Sequence, residues 1–134
     1  MKTLAKIRYA VSPISESHLI VPVKINGEGP FNFILDTGAS AVCLSQTLAK
    51  KLKLNGGSHQ EAMSASGTFK IKVITIRSLS IGKAYRKKME VAIMNLTNIS
   101  EKLNTAIDGI LGYDYLKKYQ LVINYPKKEL LLKK

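Results

Sequence analysis

Cysteine is almost missing from this chain: Cys43 is the single one among 134 residues. That excludes an internal disulfide framework. Set between Val42 and Leu44, the thiol reads as a small buried hydrophobe. A nucleophilic role would need a base beside it, and nothing in the sequence brings His18 or His59 there. No metal-ligand spacing is present, so neither a metal nor a cofactor is expected. Long apolar runs are lacking too. None approaches the length of a membrane span. Lys2, Lys6 and Arg8 are not followed by the continuous apolar segment of a signal peptide. A cytoplasmic, reducing compartment is the expectation, although a chain trimmed of a membrane anchor would read the same. Acids are scarce: 9 Asp and Glu stand against 21 Lys and Arg, a formal net charge of +12. Such an excess invites nucleic acid or an anionic surface as a partner. Yet the cations come in short pairs, Lys50-Lys51, Lys87-Lys88, Lys117-Lys118, Lys127-Lys128 and Lys133-Lys134. Pairs of that kind read as solvated faces, so nucleic acid is not the expected partner.

Apolar residues make up 46% of the chain, which is enough to build a core. With no internal repeat and no linker, residues 1–134 read as a single domain. Residues 1–16 are an N-terminal extension or an interface strand, since Ile7, Tyr9 and Val11 alternate until Ser12-Pro13. A strand over 18–25 carries Leu19, Val21, Val23 and Ile25 on one face. Pro22 within it argues for an edge or a bulge. Asn26-Gly27-Glu28-Gly29-Pro30 is a dense turn signal, and Phe31 to Leu35 returns as the second arm of a hairpin.

That arm ends in Asp36-Thr37-Gly38-Ala39-Ser40. A carboxylate straight after a buried strand is poorly placed for ordinary stability. A turn at a strand's end does, however, present a reactive group from a rigid support. Gly38 lets the backbone turn tightly and approach something closely, and Thr37 can lock the turn with its hydroxyl. Alone, the tripeptide reads as an Asx-type turn; the rest of the chain changes that reading.

Ser45 is a plausible cap for a helix over 46–52, with Leu48 and Leu52 on one face. Asn55-Gly56-Gly57 ends it. Two arms then surround the small-residue tip Ser64-Ala65-Ser66-Gly67, with Phe69, Ile71, Val73 and Thr75 on one side and Lys70 and Lys72 on the other. Further strands lie at 79–82 and 89–94, and 95–104 reads as a polar loop. Ala106 to Gly112 is an apolar strand, 113–118 a short helix that Asp114 caps or begins, and 121–125 and 130–132 the last strands. Many short strands with one or two short helices make an all-β fold, expected as a small closed barrel.

The order of these signals, an apolar run into Asp36-Thr37-Gly38-Ala39-Ser40, a hairpin, then Asp108-Gly109-Ile110-Leu111-Gly112 before a short helix, resembles the retropepsin-like aspartic proteases. The similarity spans residues 18–132 and is nearest to the cellular, non-viral members. It implies that Asp36 is the catalytic aspartate. Thr37 would tie two active-site loops together across a dimer, and Gly38 would lie against substrate backbone. Ala65, Ser66 and Gly67 would form a flap tip. Ile110, Leu111 and Gly112 would support the active-site loop and line a substrate pocket, with Ile34 and Ala39 also facing substrate. Viral members often carry an Arg after that glycine; this chain has Tyr113, so that ion pair is not implied.

Hydrolysis of a peptide by water needs one group to accept a proton and another to donate one. Two carboxylates sharing a proton do both, and when close they titrate in separate steps. Pepsin-like chains carry the motif twice, whereas this one carries it once. The resemblance therefore implies a two-fold homodimer acting on a peptide or protein substrate, one Asp36 from each subunit. Asp108 is not followed by Thr-Gly or Ser-Gly and is set aside as the second acid. Two other functions fit the composition: a non-catalytic peptide-binding or dimerisation module of the same fold, and a basic nucleic-acid-binding barrel.

Overall fold

Stretches in which apolar residues alternate become strands, because one face can be buried while the other stays wet. The computed structural model describes residues 2–134, except the side chain of Ser64. Its elements are β1 (Thr3–Arg8), β2 (Ala10–Ser12), β3 (Ser15–Ile25), β4 (Glu28–Leu35), β5 (Cys43–Ser45), α1 (Gln46–Lys51), β6 (Ser58–Ser64), β7 (Gly67–Ile81), β8 (Ala84–Met94), α2 (Thr97–Leu103), β9 (Gly109–Leu111), α3 (Tyr113–Leu116), β10 (Gln120–Asn124) and β11 (Glu129–Lys133).

Eight strands form one sheet in the order β2-β3-β4-β9-β5-β8-β7-β6, and β1-β11-β10 form a second. β4 runs parallel to β9, and β5 parallel to β8; the other pairings are antiparallel. The β3–β4 hairpin turns at Asn26 and Gly27, both at positive φ (52° and 80°), as a tight hairpin turn requires. β3 also meets β7, but only through Lys24↔Ser80 and Ile25↔Leu79. The expected closed barrel is therefore not formed; the sheet rolls over on itself with a short seam. The reason lies on that edge of β3, where β2 already occupies the stretch from Ser15 to Ile20. Pro22 falls between the two partners, where its missing N–H breaks no ladder.

Leu19, Val21, Val23 and Ile25 turn inward as the alternation requires and pack with Phe33, Leu44, Ile74, Ile76, Leu79, Leu111 and Tyr115. Full burial of each large aliphatic or aromatic side chain contributes about 1.5–3 kcal/mol. A second cluster lies on the other side of the sheet: Ile20, Ile34, Leu96, Leu103 and Ile107, flanked by Met94, Ile99 and Ile110. It exists because α2 occupies the segment expected as a polar loop. Three short helices therefore form, against the one or two expected. Leu96, Ile99 and Leu103 fall on one helical face, and Asn104 closes the helix in the left-handed conformation (φ 48°).

β7 also departs from expectation. Thr75 shares the alternation of Phe69, Ile71 and Val73, but it is exposed while Ile74 and Ile76 are buried. Burial passes from the odd to the even positions because β7 serves two settings. From Gly67 to Ile71 it pairs with β6 alone, as a projecting arm; from Lys72 on it joins β8 in the main sheet. The N-terminal residues are likewise built in: β1 pairs with β11 and β2 with β3 of the same chain. β11 is the middle strand of its sheet, with both edges filled. Leu130 and Leu132 are buried in the core, and only Leu131 of the terminal leucines turns outward, half-buried.

Candidate active site

The parallel pair β4–β9 builds the site. Phe33↔Gly109, Ile34↔Ile110 and Leu35↔Leu111 are in register, so the residues after Leu35 and after Leu111 emerge side by side. The Asp36 amide donates to the Leu111 carbonyl (3.1 Å), extending the ladder to the acid itself. The chain then turns. The Gly38 amide donates to Asp36 Oδ1 (2.9 Å), and the Ala39 amide to the Asp36 carbonyl (3.1 Å). This is the Asx turn expected of the tripeptide, but its lock is the carboxylate rather than Thr37. Thr37 is exposed, and its hydroxyl bonds no other described residue. Gly38 is not at positive φ; a Cβ there would lie 3.3 Å from Asp36 Oδ1. The glycine thus gives room to the carboxylate rather than a special turn.

Two contacts fasten the loop to α3. The Tyr113 amide donates to the Ala39 carbonyl (2.8 Å), and the Val42 amide donates to Asp114 Oδ1 (3.1 Å). Gly112 sits between them, and a Cβ there would meet the Ala41 carbonyl oxygen at 2.4 Å. Only glycine lets loop and β9 lie this close. Asp36 is exposed. The one ion pair among the described residues is Lys6–Glu129, so no cation neutralises it. Cys43 lies close enough to feel the charges of both Asp114 and Asp36. Burial first, then those charges, push its thiol from 9.0 up to about 11, so it is a neutral, unreactive group.

The remaining expected residues fall into three settings. Ile34 is buried in the cluster under α2, and Leu111 is fully buried in the main core; both support the loop from beneath. Ala39 and Ile110 are half-buried beside it. Ala65, Ser66 and Gly67 lie exposed at the tip of the β6–β7 arm, with Gly67 at φ 125°. Asp108 is at the other end of β9, where its Oδ2 accepts the Asn32 amide (2.9 Å). It lines a cavity of about 550 Å³ between α1 and α2 that Asp36 does not reach. Among the described residues no three His, Cys, Asp or Glu side chains gather as metal ligands. Sequence reading missed Asp114's contact, which joins residues 72 positions apart, and Arg86, whose Nη1 donates to the Asp114 carbonyl (3.1 Å). Neither leaves a local signal.

A family model described as "Aspartyl protease" matches residues 21–115, from within β3 to α3. The chain belongs to that family. Its fold is similar to a crystal structure of a retropepsin-like aspartic protease from Rickettsia conorii. The TM-score is 0.66 at 23% identity, covering 98% of this chain and 94% of that one. No curated protein matches the chain significantly. The matched segment carries both the Asp36 loop and the Ile110-Leu111-Gly112 strand, so the retropepsin-like resemblance of the sequence is borne out by family and by fold.

Proposed function

We propose that this protein is an aspartic endopeptidase whose active unit is a homodimer with one Asp36 from each chain. The observation that carries the reading is Asp36 itself: an exposed, unneutralised carboxylate on a loop held in place from β9 and α3. An acid whose carboxylate has no partner among the described residues beyond its own turn is available for proton transfer. One carboxylate cannot both activate water and protonate the carbonyl. Asp108 is occupied at the far end of the strands, so the second acid comes from a second copy. Across the two-fold axis the Thr37 hydroxyls bond the facing loops. Substrate backbone lies along Gly38 and Ala39, side chains meet Ile110, and the arm tipped by Ala65, Ser66 and Gly67 closes over the peptide and excludes water.

The test is cleavage of an unfolded protein substrate across pH. A shared-proton pair gives a bell-shaped rate with an acidic optimum, resistance to chelators, and inhibition by a pepstatin-type mimic. Asp36→Asn should be folded and inactive. Cleavage that rises steadily with pH and is abolished by chelators would overturn the proposal.

A further inference from the structure

We infer that Asp114 is a positioning residue for the candidate active site, acting through Val42 on the loop that carries Asp36; this rests on the protease reading above. The loop from Asp36 to Val42 is tied to its surroundings at four points. Three are backbone to backbone: the Asp36 amide to the Leu111 carbonyl, the Tyr113 amide to the Ala39 carbonyl, and the Ala92 amide of β8 to the Val42 carbonyl (3.0 Å). Any residue at those positions could make them. The fourth, the Val42 amide on Asp114 Oδ1, is the one that depends on a side chain.

Asp114 stands in the first turn of α3, where an acid usually serves the helix's own free amides. Here the carboxylate reaches out to the loop instead, and α3 has no side-chain cap bond at Gly112. The helix is in turn fixed to β8. Arg86 Nη1 donates to the carbonyls of Asp114 (3.1 Å) and Tyr115 (3.4 Å). Two residues earlier on the same strand, the Ala84 carbonyl accepts the hydroxyl of the fully buried Tyr115 (2.6 Å). A continuous chain of contacts therefore runs from β8 through α3 to Val42. It holds the C-terminal end of the loop through the Val42 amide, beside the direct Ala92 bond to the Val42 carbonyl, while β9 holds the loop's start. Tyr113 holds the loop through its amide alone, its ring being exposed, so the side-chain hold comes from the next residue.

The argument does not require Asp114 to be charged; it requires an acceptor at Oδ1. Asp114→Asn keeps one and Asp114→Ala removes it. In folded Asp114→Ala dimer, kcat should fall about tenfold or more, since small misplacement of a catalytic group is costly, while KM stays within about twofold of wild type. Asp114→Asn should restore most of kcat. Independently of any activity, amide exchange at Val42 should speed up in Asp114→Ala and return towards wild type in Asp114→Asn. A kcat unchanged in folded Asp114→Ala overturns the inference. If the wild type cleaves nothing, the protease reading fails and the exchange arm decides alone. Val42 exchange unaffected by Asp114→Ala also overturns it. If Asp114→Ala does not fold, Asp114→Ser replaces it: exchange at Val42 as slow as in wild type, with full kcat, contradicts the inference.

Discussion

Asp36 and Asp108 sit at opposite ends of the paired strands β4 and β9. Both precede a glycine closely, and both accept a backbone amide through one carboxylate oxygen. They differ in whose amide it is. Asp108 is half-buried and takes the amide of Asn32, 76 positions away, stitching the start of β9 to the middle of β4. Asp36 is exposed and, among the described residues, its carboxylate takes only the amide of Gly38, two positions on. Asn32 precedes Asp36 by four residues, about 13 Å of strand, so the two acids cannot meet within one chain. An acid bonded across the fold is structural, and an acid bonded within its own turn is left with a face for chemistry.

The largest effect should come from exchanging what each acid does. Asp36→Asn is isosteric and keeps an acceptor for Gly38, so unfolding by urea should be unchanged while the cleavage rate falls about 10³-fold or more. Equal loss of stability and activity would mean that Asp36 holds the fold together. Asp108→Ala should do the reverse. It gives up the bond to the Asn32 amide, which costs about 0.5–1.5 kcal/mol of stability, with the rate per folded molecule kept. A rate collapse in folded Asp108→Ala would make it a candidate for the second acid.

Between these lies Gly112→Ala. Its Cβ would press on the Ala41 carbonyl at 2.4 Å. Relief requires the loop to shift, which should cost about 1–3 kcal/mol of stability and about 10²-fold in rate. Unchanged activity would show that the close approach of β9 does not position Asp36. The smallest effect concerns Cys43, whose thiol is pushed from 9.0 to about 11, first by burial and then by Asp114 and Asp36. A pKa raised in the folded state means that the thiol's contribution to stability is whole below pH 9 and is lost as pH rises towards 11. Alkylation by iodoacetamide at pH 8 should therefore be much slower in the folded protein than in urea. Equal rates would place the thiol at the surface.

Much of this was legible in the residues. Leu19, Val21, Val23 and Ile25 have a period that only a half-buried strand satisfies, and Ser45 accepts the Leu48 amide as a helix cap should. The Asp36 turn and the Gly112 strand were found because their chemistry is written in adjacent residues. What escaped is set by packing at a distance. The helix at Thr97–Leu103 has polar residues on most of its surface, and Ile99 and Leu103, with Leu96 at its cap, matter only because Ile20 and Ile34 lie beneath. The exposure of Thr75 follows from where β8 begins to pair with β7, not from β7 itself. The inward turn of Leu130 and Leu132 is set by Ala5 and Ile7 of β1, over a hundred residues earlier, and by Leu121 and Ile123 of β10. The hold of Asp114 on Val42 joins two segments that no local pattern links.

The central claim, that two chains each lend one Asp36, is tested most directly by mixing. Wild-type chains are titrated with Asp36→Asn chains at constant total concentration, and cleavage is followed after exchange. The account predicts that activity falls with the square of the wild-type fraction, because mixed dimers hold one competent acid, and that wild type alone loses specific activity on dilution as dimers part. Activity that falls only in proportion to the wild-type fraction, from a protein that sediments as a monomer and keeps its specific activity on dilution, would contradict it.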